Sequence, residues 1–226
     1  RVLDVYLTEA ALERHSEIWD EAVAAGLYVH VTTQQVMDAM SPDAQGLLAV
    51  VATEEATGSE ALAAALEGAR LVAVLTQAQD PGNAGTIIRA ADAAGADAVV
   101  LVRGSVDPTA PKVVRSTAGS LFHLPVVTGV ALDDAVTALH NAGLTVLAAD
   151  GRGDFDLFEA ESLLEAPSAW LLGNEAHGLP SEALSRADAV VSIPIYGKAE
   201  SLNVAAAAAV CLYASARAQA QNSGRS

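Results

Sequence analysis

The stretch Ile193 to Ala214 reads IPIYGKAESLNVAAAAAVCLYA, a strand end, a polar loop and a helix in succession. A strand end, Val190 to Ile193, runs into a polar loop holding Tyr196, Gly197, Lys198 and Glu200, and that loop enters a helix for which Ser201 is placed as the cap. Val204 to Val210 is nearly all alanine, which favours helix and carries so little bulk that another backbone can approach closely. A cap needs only Ser201. The further polar side chain in Ser201-Leu202-Asn203, behind a loop with two charges, points to a lined pocket at the helix start.

Upstream of this stretch, strands and helices alternate. Strand patterns cover Leu71 to Leu75, Ala98 to Val102, Leu124 to Val127, Thr145 to Ala149, Ala169 to Leu172 and Ala189 to Ile193; helical patterns cover Ala84 to Ala94, Lys112 to Ala118 and Leu132 to Asn141. Continuous apolar strands alternating with helices predict an α/β domain over 71–226, its mostly parallel sheet covered on both faces. Such sheets bind ligands beyond the carboxyl ends of their strands. Three polar segments fall there: Asp80 to Arg89, Gly173 to Gly178 and Ile193 to Asn203.

Residues 1–52 read as β-α-β-α-β: a strand from Val2 to Leu7, a helix from Glu9 to Ala25, a strand from Tyr28 to Val31, a short helix from Thr33 to Met40 and a strand from Leu47 to Ala52. Trp19, Tyr28 and His30 offer surfaces for base stacking, although single aromatics at such spacing ordinarily belong to a core. Residues 53–70 read as a semi-rigid connection: Gly58-Ser59 breaks the pattern and Ser59 caps a short helix through Leu66.

A chain of 226 residues, 52% hydrophobic with mean hydropathy +0.32, folds around a substantial core. No apolar run is long enough to span a bilayer and no leader precedes the first strand, which points to a cytoplasmic protein without membrane partners. The single Cys211 excludes disulfides within the chain and thiolate zinc sites, so no metal is expected. A net charge of −16 runs against nucleic-acid binding, which draws on Lys and Arg to neutralise phosphates. Distribution matters more. From Arg89 to Arg115 there are four basic residues (Arg89, Arg103, Lys112, Arg115) against three acidic ones (Asp92, Asp97, Asp107), enough for a basic face on an acidic body.

Ile193-Pro194, Ser201-Leu202-Asn203 and the alanine-rich helix resemble the third motif of the SpoU/TrmH family of RNA ribose 2′-O-methyltransferases, in the SPOUT class. DPGNAGTIIRAADAAG, Asp80 to Gly95, resembles the first motif, with Asn83 and Arg89 at its polar positions; LLGNEAHGLP, Leu171 to Pro180, resembles the second, with Gly173, Glu175 and Gly178 in place. The chain departs from many relatives at Ala205, where they carry serine, and at Asn174, where the family varies.

The resemblance implies a deep C-terminal trefoil knot, S-adenosyl-L-methionine as cofactor, RNA as substrate with ribosomal RNA favoured over transfer RNA, and a homodimer through the helix starting at Ser201. It implies that residues 1–52 are a partial, ribosomal-protein-like RNA-binding domain whose first strand and helix precede the sequence in hand. Asn83 and Asn203 would shape the site and orient Arg89, Ser201 would lie near the target ribose, and Glu175 would make a contact between motifs. Gly173, Ile193 and Leu202 would hold the cofactor through their backbone, with glycine required at 173 because a side chain would fill the cofactor's space. Arg115 and Ser116, in RSTAGSLFHLPV, would touch the RNA. His123 and His177 match no catalytic position. For Arg89 two roles stay open: deprotonating the 2′-hydroxyl, or lowering its pKa electrostatically, the role that an always-charged guanidinium favours. Its bland alternative is an exposed ion pair with Asp92 on the same helix.

Two other functions fit parts of the sequence. Gly82-Asn83-Ala84-Gly85 after a strand has the look of a phosphate-binding turn, and Arg103 about 20 residues on suits a 2′-phosphate, which would make an NADP-dependent oxidoreductase. A non-catalytic RNA-binding protein would require a broken motif, and none of the three is broken.

Overall fold

The computed structural model describes residues 1–52, 56–174 and 178–223, and they form two compact units divided at Glu54/Glu55. In the first unit, β1 (Val2–Thr8), α1 (Glu9–Arg14), α2 (Ser16–Ala24), β2 (Tyr28–Thr32), α3 (Gln34–Met40) and β3 (Leu47–Val51) build a three-stranded sheet of order β2-β1-β3. β2 runs parallel and β3 antiparallel to β1. The single helix expected from Glu9 to Ala25 is two helices, because His15 leaves helical geometry at φ −135° and ψ 48°. Val5 and Leu7 pack with Ala11 and Ala22, and Trp19 joins them half-buried. Tyr28 and His30 do not enter that core: Tyr28 is 74% exposed, and His30 stacks on Tyr6 with ring centroids 4.6 Å apart.

The second unit comprises α4 (Gly58–Ala65), β4 (Leu71–Leu75), α5 (Pro81–Ala93), β5 (Ala98–Val102), α6 (Pro111–Thr117), β6 (Val126–Val130), α7 (Leu132–Asn141), β7 (Thr145–Ala149), β8 (Phe155–Asp156), α8 (Glu161–Leu164), β9 (Ser168–Leu172), α9 (Ser181–Arg186), β10 (Ala189–Ser192) and α10 (Val204–Ser223). Its seven strands lie in the order β6-β5-β4-β9-β7-β10-β8, every pair parallel. Side chains alternate across the sheet as strand geometry requires. Leu71, Ala73 and Leu75 face a core shared with α5 and α10, while Val72 and Val74 face one shared with α4 and α7. Every residue of β4, β5 and β9 is buried, the pattern of a parallel sheet covered on both faces.

Three expectations are corrected. The connection expected over 53–70 is part of the second unit from residue 56 on, because α4 buries Leu62 and Leu66 in the core and Thr57 bridges to Thr128. The strand expected from Leu124 to Val127 runs from Val126 to Val130, starting after Pro125, which has no N–H to give a strand ladder. The last helix begins at Val204, and its cap is Asn203 in place of Ser201: Asn203 Oδ1 accepts from the backbone N–H of Ala205 at 2.9 Å and of Ala206 at 3.4 Å.

Ala205, Ala208, Cys211 and Leu212 on α10 pack into their own domain, with Val210 half-buried against the same core, so the helix presents Ala206, Ala209 and Tyr213 on its other faces. Burial pushes the Cys211 thiol up to about 12, which suits its place as an inert core residue. Further along the helix, Ser215 Oγ accepts the indole N–H of fully buried Trp170 at 2.9 Å. Ser215→Ala is therefore expected to leave that donor unpartnered and to lower unfolding free energy by roughly 1–3 kcal/mol, read as a drop in the urea midpoint.

Candidate active site

The parallel strands deliver four loops to the carboxyl edge of the sheet. After β4, Asp80 caps α5: its Oδ1 accepts from Asn83 N at 2.7 Å, with Pro81 pre-set in the first turn. After β9, Asn174 and Gly178 exchange backbone hydrogen bonds of 3.1 and 2.8 Å, and Asn174 Nδ2 donates to Gln77 O at 3.2 Å in the β4 loop. After β10, residues 193–203 run without regular structure into the Asn203 cap. After β7, Asp150 is tied to β10 through its N–H to Val191 O at 3.1 Å.

Between the loops after β7, β9 and β10 lies a cavity of about 460 Å³, a size ordinary for a small-molecule site. Apolar side chains of Ala149, Val191, Ile193, Leu202 and Val204 form part of its wall, and Gly173, Ser201, Asn203, Asp150 and Glu200 also line it.

The expected site residues divide into groups. Gly173, Ile193, Ser201, Leu202 and Asn203 line the cavity together. Asn83 stands beside it: Asn203 Nδ2 donates to Asn83 Oδ1 at 3.1 Å, joining segments 120 residues apart. Arg89 lies further along α5, exposed and outside the lining. The alternative reading, an ion pair with Asp92 on the same helix, is not what forms. Asp92 instead receives His123 Nδ1 at 2.7 Å, and hydrogen bonds from Ser120 first and His123 second hold its carboxyl below the usual range. Arg115 and Ser116 sit on α6, away from the cavity, with Ser116 Oγ donating to Lys112 O at 2.8 Å. Glu175 and His177 lie outside the described residues.

The reason for Gly173 differs from the expected one. A Cβ there would come 2.4 Å from the carbonyl carbon of Gly178 and 2.6 Å from Leu179 N, so a side chain would wedge open the loop after β9 before it reached any ligand. Gly85 has a comparable constraint, since a Cβ would meet Ser116 Cβ at 2.5 Å and Val113 O at 2.7 Å where α5 and α6 cross.

Sequence reasoning missed Asp150. It follows a strand whose end carries no motif, and its partner Arg152 lies only two residues away, a spacing with no helical or strand periodicity to flag it. Arg152 donates from its backbone N at 2.9 Å, from Nε at 3.0 Å and from Nη2 at 3.3 Å. That guanidinium holds the Asp150 carboxyl below the ordinary carboxylate value against the opposing effect of burial, so the group is ionised throughout the neutral range.

Residues 70–213 match the SpoU rRNA Methylase family, and the chain belongs to that family. It is 42% identical over 151 residues to the 23S rRNA (guanosine(2553)-2′-O)-methyltransferase RlmP of Bacillus subtilis, covering 66% of this chain and 58% of that protein. It is 28% identical over 220 residues to the 23S rRNA (guanosine-2′-O-)-methyltransferase RlmB of Bordetella pertussis, covering 96% of this chain and 89% of the relative. Among solved structures, the SpoU methyltransferase AviRb of Streptomyces viridochromogenes in complex with AdoMet superposes with TM-score 0.83 at 28% identity, over 98% of this chain and 84% of that one. The chain covers 58%, 54% and 49% of three of its similar curated relatives, less than two thirds of each.

Membership removes the oxidoreductase alternative, and the geometry gives the reason. The start of α5 is already occupied by the Asp80 carboxylate, which would repel a pyrophosphate from the position that a dinucleotide fold uses. No helix among the described residues is long and apolar enough to cross a membrane.

Asn203 separates two roles experimentally. Asn203→Ala removes both the cap and the donor to Asn83 and should cost about 1 kcal/mol or more in urea unfolding, whereas Asn203→Asp keeps the cap acceptor, loses only that donor and should cost less; equal losses from both would place its stabilising contribution outside the cap.

Proposed function

We propose that this chain methylates a ribose 2′-hydroxyl of RNA, ribosomal RNA ahead of transfer RNA, using S-adenosyl-L-methionine. The observation that carries this reading is the Asn203–Asn83 hydrogen bond beside the cavity, which joins the first motif to the third where the loop of the second also opens. The similar RlmP and RlmB, both named as 23S rRNA 2′-O-methyltransferases, and the AdoMet complex of AviRb support the substrate class and the cofactor.

The cavity suits that cofactor chemically. Its apolar wall from Ala149, Val191, Ile193, Leu202 and Val204 offers a slot for a purine, Gly173, Ile193 and Leu202 are within the lining, and its charged lining residues among those described are acidic, as a cationic ligand requires. When bound, the cofactor supplies an electrophilic methyl group on a sulfonium sulfur. The protein's task is to present the ribose oxygen in line and to favour loss of its proton.

Arg89 is the residue we assign to that second task. It is exposed, it sits on the helix whose first turn Asn83 and Asp80 fix, and it has no hydrogen-bond or ion-pair partner among the described residues. A free guanidinium beside the scissile proton's neighbouring phosphate binds that phosphate and stabilises the developing alkoxide, without itself taking the proton. To Ser201, which lines the cavity, we assign a place near the ribose, and to Glu175 a contact between motifs. Arg115 and Ser116 extend the RNA face along α6, with residues 1–52 as a further RNA-binding unit. The same reading includes a cytoplasmic location, a homodimer through the outward face of α10, and a trefoil knot. β9 enters between β4 and β7 while β10 continues beyond β7, and α10 then returns against β4 and β9, a path compatible with threading.

Two measurements test the proposal. Titration calorimetry should show binding of S-adenosyl-L-methionine, and Arg89→Ala should retain that affinity within about threefold while losing methyl transfer to ribosomal RNA by roughly a hundredfold or more, the scale on which removal of one transition-state stabiliser acts. Near-normal single-turnover transfer by the variant would end the role given to Arg89. For the dimer, Ala206→Glu places an unpaired charge on the outward face of α10 and should yield monomers in light scattering; a wild-type chain that is monomeric at micromolar concentration refutes the interface.

A further inference from the structure

We infer that Asp150 makes this cavity discriminate between the cationic sulfonium cofactor and its neutral thioether product, an inference that rests on the proposed use of S-adenosyl-L-methionine. The side chain of Asp150 is only 9% exposed. Its Oδ2 lies 3.8 Å from where a Cβ on Gly178 would stand, so the carboxylate reaches from the loop after β7 to the loop after β9 and belongs to two walls at once. The charged side chains lining the cavity, among the described residues, are Asp150 and Glu200, with no Lys, Arg or His. Glu200 lies in an exposed loop, where water screens it. Asp150 is shielded from that screening.

Arg152 does not cancel this charge from within. Its side chain is 80% exposed and it is not among the lining residues, so its guanidinium is hydrated at the rim while it orients the carboxylate and keeps it ionised. An oriented, ionised and mostly buried carboxylate in the cavity wall, held by a guanidinium that is itself exposed, gains further from a cationic ligand in the cavity.

The chemistry of the transfer supplies that cation, and then removes it. S-adenosyl-L-methionine carries a sulfonium, an α-ammonium and a carboxylate, for one net positive charge. As the methyl carbon bonds to the ribose oxygen, the carbon–sulfur bonding pair stays on sulfur, the hydroxyl proton passes to solvent, and the remaining thioether is neutral at sulfur. The attraction of Asp150 for the cofactor is therefore larger before transfer than after it. The carboxylate favours cofactor over product, and so limits product inhibition.

Calorimetry with three ligands tests this: S-adenosyl-L-methionine, S-adenosylhomocysteine, and sinefungin, in which an amine-bearing carbon replaces the sulfonium and keeps a cation. Asp150→Asn preserves shape and an acceptor for Arg152 N. It should weaken the two cationic ligands by about tenfold and S-adenosylhomocysteine by no more than about twofold, the difference expected when one charge pair in a partly screened wall is lost. Arg152→Gln changes an exposed side chain, which protects folding, and removes the competing cation; it should raise the cofactor-to-product affinity ratio by about threefold. Opposite shifts from the two variants are the signature of charge. Equal weakening of all three ligands by Asp150→Asn, or an unchanged ratio in Arg152→Gln, would overturn the inference while leaving the cofactor reading intact. A wild-type protein that binds none of the three overturns that reading, and the inference with it.

Discussion

The site depends on one amide. Asn203 uses its oxygen to cap α10 and its nitrogen to hold Asn83, so the start of the last helix and the start of α5 are fixed by the same side chain. At the far end, Gln219 Nε2 donates to Arg70 O at 3.1 Å and to Ala166 O at 3.0 Å, where the chain enters the edges of β4 and β9. Between these two anchors, Ala205, Ala208, Cys211 and Leu212 seat α10 in the core. A helix with so few large side chains gains little per residue from apolar burial, so polar fastening at both ends sets its position along its axis. The loop of residues 193–203, which has no regular structure of its own, inherits its placement from that fastening and from β10 before it.

How much of this was legible in the sequence follows from where the information is local. β4, β5 and β9 are short runs of Val, Leu and Ala with every residue buried, and α7 has apolar residues at helical spacing between acidic first-turn residues and His140; each declares itself within a few residues. β8 contains two residues and α8 four, too few for any period to register. The choice between Ser201 and Asn203 as cap could not be made from composition, since both are good caps; it is decided by Asn83, more than a hundred residues away. At Gly173 the backbone that glycine must accommodate, Gly178, becomes its neighbour only when the turn closes, so no local pattern announces that constraint. Asp150 escaped altogether, as a residue whose significance lies in the cavity it faces and in no pattern of its own stretch.

The net charge of −16 is best understood by separating the ligands that the proposed reaction brings together. A polyanion and a small cation place opposite demands on one surface, and a field averaged over the molecule serves only one of them. In this chain the two demands fall on different elements. The acidic groups Asp150 and Glu200 line the cavity at the ends of the strands, whereas Arg89, Lys112 and Arg115 are exposed on α5 and α6.

The pairing of the neighbouring acids matters as much as the placing of the bases. Had Asp92 closed on Arg89, as its spacing allows, the proposed site would lose its cation to a surface ion pair contributing well under about 1 kcal/mol. His123 and Ser120 take that carboxylate instead, and their hydrogen bonds keep it occupied as an anion. Because His123 is supplied by the segment following α6, which also packs against Gly85 on α5, the same helix crossing that sets α6 also brings the partner that draws Asp92 away from Arg89. On the proposed reading, Arg89 is thereby left for phosphate by the arrangement of its neighbours, and a basic surface of few residues is what an acidic protein would present to RNA.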